Sequence, residues 1–97
     1  MGMRKQWSRL ITVDGVRYRY HVADDRFDGQ RLHVCVQQVE PAGQRLLSEF
    51  PIPNTITPRI VRGLILAALH KGWQPATSGL SAFRLSGWDA VPELIVP

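Results

Sequence analysis

The sequence has little cysteine, little lysine and no long apolar run, and the first and last of these shortages each exclude a class of protein. The one cysteine, Cys35, cannot form an internal disulfide, so a small scaffold held together by disulfides is excluded. No apolar run approaches the roughly 20 residues that a membrane-spanning helix needs, so we expect no membrane insertion. The basic start, MGMRKQWSRL, has no apolar signal core after it, and we therefore expect a cytoplasmic protein.

The positive charge comes almost entirely from arginine. The 97 residues carry 12 Lys+Arg against 8 Asp+Glu, a formal net charge of +4, and Lys5 and Lys71 are the only lysines. Arginine is suited to bidentate contact with phosphate or carboxylate, and net positive charge speeds encounter with anionic partners. An arginine-rich, lysine-poor composition is equally typical of a GC-rich genome, and the sequence does not separate the two causes.

Two alternating segments flank Asp14-Gly15, which predicts a hairpin of residues 7–13 and 16–22. Asp-Gly is a preferred pair for a two-residue turn, because both positions need a positive φ. The turn fixes the register of the two strands. The pairs that share the predicted apolar face are Val13 with Val16, Ile11 with Tyr18, Arg9 with Tyr20, and Trp7 with Val22.

Two further alternating segments extend this hairpin into an antiparallel meander. RLHVCVQQVE points Leu32, Val34 and Val36 to one face, and QRLLSEFPIP has Leu46, Phe50 and Ile52 as its inward set. Thr57-Pro58 begins a helix that ends at Lys71, before Gly72. Its apolar stripe consists of Ile60, Val61, Leu64, Ile65, Ala68 and Leu69.

A short fifth strand, LSAFRLS, with Phe83 and Leu85 inward, completes the predicted order ββββαβ. We therefore expect one α+β domain over residues 1–97. It is a two-layer sandwich in which one helix covers the apolar face of a four-stranded meander. Flexibility is expected at residues 1–6 and in the last few residues. The position of the fifth strand in the sheet is left open.

The stretch VRYRYHV alternates basic with apolar side chains and predicts a basic face on the open side of the sheet. With Val22 placed opposite Leu32, the candidate nucleic-acid-binding residues Arg17, Arg19, His21 and His33 lie together, and such residues can contact phosphates. Every aromatic side chain of these strands points to the buried face, so the open face has no stacking platform for bases. A solvated strand face explains the same pattern.

His21, His33 and Cys35 are the weak candidates for a metal site, because imidazole and thiolate are good zinc ligands. Their spacing matches no local metal motif, and we expect neither a metal nor another cofactor. The stretch DDRFDG is not a calcium loop, since Arg26 occupies a ligand position. We interpret it as a turn.

The sequence contains no phosphate-binding glycine loop, no dinucleotide fingerprint and no nucleophile elbow. We therefore expect a small, non-enzymatic bacterial binding module that acts through protein contacts or self-association. The alternative is a nucleic-acid-binding protein that uses the basic face, and the third possibility is a small hydrolase or nuclease. Self-association is expected through the outer side of the helix, as a homodimer, or through a sheet edge. The helix residues concerned are Arg59, Arg62, Gly63, Leu66 and His70.

Overall fold

The computed structural model describes residues 8–25, 31–51 and 56–87. Within them, five strands form one sheet in the order β1-β2-β3-β4-β5, and one helix lies between β4 and β5 in the chain. The elements are β1 (Arg9–Val13), β2 (Val16–Asp25), β3 (Arg31–Gln38), β4 (Leu46–Pro51), α1 (Pro58–Lys71) and β5 (Phe83–Ser86). The predicted α+β class and the order ββββαβ are confirmed. The predictions for Trp7, Ile52, DDRFDG, residues 1–6 and the C-terminal tail fall wholly or partly outside the described residues.

The first hairpin has the predicted turn and the predicted register. Asp14 and Gly15 both have positive φ, 50° and 81°, as a type I′ turn requires. Val13 pairs with Val16 and Ile11 pairs with Tyr18. The two-residue loop leaves no slack for another alignment, so local sequence alone determined this part of the sheet.

The register between β2 and β3 differs from the prediction by two residues. Val22 pairs with Val34 instead of Leu32, so His21 lies opposite Cys35 and not opposite His33. Arg19 accordingly lies opposite Gln37 instead of Cys35. A shift of two residues keeps every side chain on its predicted face, because the side-chain period of a strand is two. The predicted faces therefore hold although the predicted neighbours are wrong.

The fifth strand pairs with β4 and runs parallel to it, with Leu46 opposite Phe83 and Ser48 opposite Leu85. Parallel neighbours need a long connection, and here α1 provides it. The segment β4-α1-β5 therefore forms a βαβ unit attached to the antiparallel meander. The result is a sheet with one face under α1 and five strands contributing to the other face.

The helix begins and ends at the predicted residues. The Thr57 side chain accepts a hydrogen bond from the Ile60 amide at 3.3 Å, and Gly72 ends the helix with φ 111°. The side chains of Val61, Leu64, Ile65 and Ala68 are buried. Leu69 was predicted in the core stripe, but 37% of it is exposed. Leu69 lies at the border of the apolar stripe, in the last turn of α1, and part of its side chain faces solvent.

Tyr18 and Tyr20 are buried beneath α1, with 2% and 5% of their surface exposed, as predicted. On the opposite face Arg17 is exposed, whereas Arg19 and His21 are only half-exposed, less than predicted. They lie on an inner strand of the sheet, where side chains on both neighbouring strands shield them. Arg19 also donates a hydrogen bond from Nη1 to Ser8 Oγ at 3.1 Å.

The segment before β4 is fastened to the segment after α1. Gln44 donates from Nε2 to the Ser81 carbonyl at 2.9 Å, and its Oε1 accepts from the Gln74 amide at 2.8 Å. The Trp73 indole donates to the Gln44 carbonyl at 2.9 Å. This fastened loop places β5 beside β4 and so brings its outward side chains onto the open face.

Candidate functional site

The open face of the sheet is the surface opposite α1, and the strand register arranges its side chains in rows. One row contains Leu10, Arg19 and Gln37. The next contains His21, Cys35, Leu47 and Arg84, and a third contains Ala23, His33, Glu49 and Ser86. No helix or strand in the described ranges covers this face.

Six basic side chains lie on the open face, and we call them the basic patch. They are Arg17, Arg19, Arg45, Arg84, His21 and His33. Arg17 and Arg84 are exposed, and the other members are half-exposed. Of the side chains that the structure describes on this face, Glu49 is the only carboxylate, and it lies opposite His33. The patch therefore has an excess of positive charge.

The structure adds Arg45 and Arg84 to the four residues that the sequence predicted. Arg45 immediately precedes β4, and since the next residue, Leu46, is buried in the core, alternation directs Arg45 to the open face. Its charge acts on the Cys35 thiol. Arg84 lies between the inward residues Phe83 and Leu85. The sequence carried the signal for its outward direction, but only the position of β5 shows which side chains it joins.

Cys35 lies near the centre of the open face, between His21 on β2 and Leu47 on β4. Burial raises the pKa of its thiol, and the positive charge of Arg45 offsets only part of that increase. At neutral pH the sulfur is therefore a thiol and not a thiolate. A nucleophilic or metal-binding cysteine requires the thiolate, so this environment favours a packing role for Cys35.

The three metal candidates do not meet as predicted. His21 faces Cys35 across the strand pair, but His33 lies opposite Ala23, one pair further along. Among the described residues there is no group of three or more His, Cys, Asp or Glu side chains arranged to hold a metal ion.

The Tyr, Trp and Phe side chains of the described residues all belong to the covered side of the sheet. Tyr18, Tyr20, Phe50 and Trp73 are buried, and Phe83 packs against the same core. The contact surface of the basic patch therefore consists of guanidinium, imidazole and amide groups around the uncharged side chains of Cys35 and Leu47. Such a surface can form hydrogen bonds and ion pairs, and among the described residues its aromatic rings are the imidazoles of the half-exposed His21 and His33.

The outer surface of α1 is a second exposed feature. Leu66 and Leu69 are each 37% exposed, and Gly63 lies one turn before Leu66. Arg59 and His70 are exposed on the same side. Arg62 is engaged within the chain, because its Nη2 lies 3.6 Å from a carboxylate oxygen of Asp14. The predicted self-association residues thus share one surface, with Arg62 directed toward the hairpin turn.

Comparisons with known proteins identify no relative: no family model, curated protein or solved structure matches the chain. Within the part of the chain that the structure describes, α1 is too short and too polar to cross a membrane, and no other helix could do so.

Proposed function

We propose that the protein is a non-enzymatic binding module that contacts an anionic macromolecule through the basic patch. The observation that carries this proposal is the charge of the open face, where four arginines and two histidines are accompanied by one described carboxylate, Glu49. Guanidinium groups on an open sheet face can make paired hydrogen bonds to carboxylate or phosphate oxygens. The raised pKa of the Cys35 thiol supports binding over nucleophilic catalysis. A cytoplasmic location belongs to the proposal, since free thiols are typical of reducing compartments.

The first prediction concerns binding of heparin, a polyanion without bases. Arg17→Ala combined with Arg19→Ala is expected to weaken heparin binding at 0.1 M salt by roughly tenfold or more, because two ion-pairing groups are lost from the patch. Fluorescence or calorimetric titration measures the affinity. The matched control is Arg9→Ala with Lys71→Ala, which removes the same charge from exposed residues elsewhere. Equal losses in both variants would mean that net charge alone causes binding.

A second function, self-association, is favoured by the exposed leucines on the outer surface of α1. Leu66 and Leu69 are adjacent apolar side chains, and Leu66 lies one turn after Gly63, where a second backbone can approach closely. We propose a homodimer with two-fold symmetry across this surface, the commonest arrangement of a soluble oligomer. The basic patch lies on the other side of the sheet, so such a dimer would leave both copies of the patch accessible.

The second prediction tests this dimer. Leu66→Glu is expected to shift a micromolar dimer to monomer in sedimentation velocity, because two glutamates would be forced together at the symmetric contact. Leu80→Glu is the control, since Leu80 is 43% exposed but lies in the loop after α1. A wild-type protein that remains monomeric at every concentration would contradict the proposal. A dimer that is insensitive to Leu66→Glu would move the contact to the edge strand β1, where Leu10 is 52% exposed.

A further inference from the structure

We infer that the anionic partner of the basic patch is a nucleic-acid duplex, bound through the phosphates of both strands and without sequence preference. This inference rests on the proposed function and specifies its partner. It is carried by three features of the open face: the kind of cation, the spacing of the cations and the absence of described Tyr, Trp and Phe side chains from that face.

The four strong cations of the patch are all arginines, whereas the one described lysine, Lys71, is at the end of α1. A guanidinium group presents a planar fork of donors that fits two phosphate oxygens at once. Arg17 and Arg84 are exposed, so their forks can reach outward. Arg19 is held by Ser8 Oγ at 3.1 Å and directs its remaining donors from a fixed position.

The arginines form two groups separated by an uncharged strip. Arg17 and Arg19 are alternate residues of β2, and are about 7 Å apart along the strand. Arg45 and Arg84 lie at β4 and β5, two and three strands away. With about 4.8 Å between strands, the two groups are about 10 to 14 Å apart. Gln37 and Cys35 of β3 occupy the strip between them, and Leu47 lies at its border, beside Arg84.

This separation is comparable to the roughly 12 Å width of the major groove of a DNA duplex. Two lines of phosphates across a groove can therefore each meet one arginine group, while the uncharged strip faces the groove between them. A duplex also presents one negative charge for about every 1.7 Å of its axis, twice the density of one strand. A single strand presents only one line of phosphates and would engage one group at a time.

The third feature concerns stacking. Proteins that hold single strands stack the bases on aromatic rings, but the described Tyr, Trp and Phe side chains, including Tyr18 and Tyr20, lie on the covered side of the sheet, and His21 and His33 on the open face are only half-exposed. At the centre of the open face, Cys35 and Leu47 offer no strong hydrogen-bonding group to base edges, and Gln37 Nε2 donates to the Gly43 carbonyl at 3.2 Å. Contacts are therefore confined to phosphates, which position a protein but carry no sequence information.

The experiment titrates the full chain with labelled 20-base-pair duplex DNA, duplex RNA of the same sequence and the corresponding single strand, at several salt concentrations. A second duplex of unrelated sequence tests sequence preference. The patch variant is Arg17→Ala with Arg84→Ala, one exposed arginine from each group. The matched control is Arg9→Ala with Lys71→Ala, and heparin serves as a polyanion without strands or grooves.

We expect the duplex to bind more tightly than the single strand, with equal affinity for the two sequences. The patch variant should lose roughly 10- to 100-fold in affinity at 0.1 M salt, and the slope of log K against log salt should fall by about 2, since each lost phosphate contact removes about 0.9. The control variant should lose less than threefold. Tight binding of duplex DNA alone would support the argument from groove width, whereas tight binding of duplex RNA alone would contradict it, because the major groove of an RNA duplex is narrow.

A single strand that binds as tightly as the duplex, or a patch variant that keeps the wild-type salt slope, would overturn the inference. Heparin binding that depends on the patch, without duplex binding, would overturn it while leaving the proposed function in place. If neither heparin nor a duplex binds, both proposals are wrong.

Discussion

Trp73→Ala is expected to lower the free energy of unfolding by about 4 kcal/mol, the range measured for large aromatic residues in protein cores. Only 3% of Trp73 is exposed, although it follows the last turn of α1. Its ring lies 5.7 Å from the ring of Tyr18, between centroids, and its indole donates to the Gln44 carbonyl at 2.9 Å. The substitution opens a cavity and removes the donor of that carbonyl. Urea denaturation followed by far-UV circular dichroism measures the loss.

Trp73→Phe separates the two contributions. It keeps most of the ring volume and loses the indole N–H, so we expect a loss of about 1 to 2 kcal/mol. If Trp73→Ala costs less than about 1.5 kcal/mol, the ring does not join α1 to the sheet as the structure indicates. If the two variants lose the same amount, the hydrogen bond and not the burial dominates.

Gly43→Ala is expected to cost about 3 kcal/mol, at the upper end for an added methyl group in a packed site. A β-carbon at Gly43 would overlap the Pro75 carbonyl oxygen and lie 2.5 Å from the Thr77 amide nitrogen. Both neighbours are backbone atoms, and the two bonds of the Gln44 side chain hold the chain on either side of them. The segments cannot separate without breaking those bonds.

Gly79→Ala is the matched control for this substitution. Gly79 has φ +85°, but an added β-carbon there meets nothing within 4 Å. Its cost is therefore conformational only, about 1 to 2 kcal/mol. Both variants are measured in the same urea series. A Gly43→Ala variant no less stable than Gly79→Ala would contradict the close contact between the two segments.

The parts of the fold that the sequence predicted depend on local signals. The Asp14-Gly15 turn determines the register of β1 with β2, starting from the adjacent pair Val13 and Val16. Thr57 and Gly72 mark the ends of α1 by capping chemistry. Period-two alternation assigned the buried and open faces of the strands, including Tyr18 and Tyr20 under the helix. Each of these signals acts over a few residues, so it can be recognised without knowledge of the rest of the chain.

The parts that the sequence did not predict depend on distant segments. Alternation detects a register shift of one residue, because the faces would exchange, but it does not detect a shift of two. The alternation of apolar and polar residues therefore does not determine that Val22 pairs with Val34. The same limit applies to Arg84, which joins the basic patch only because β5 crosses back beside β4 after α1. Half of the arginines in the patch were therefore missed. Arg84 was missed because the position of β5 in the sheet was unknown, and Arg45 because it precedes its strand.

The order of elements has a consequence during synthesis. The four strands of the meander are complete at Pro51, whereas the helix that covers them ends at Lys71, twenty residues later. At about 5 to 20 residues per second, the ribosome needs about 1 to 4 s to make that segment. Until α1 is added, any sheet that the four strands form presents Tyr20, Val34 and Val36 without a second layer. An uncovered apolar sheet of this kind is a target for chaperones. The nascent chain then has a binding surface that is buried in the folded protein.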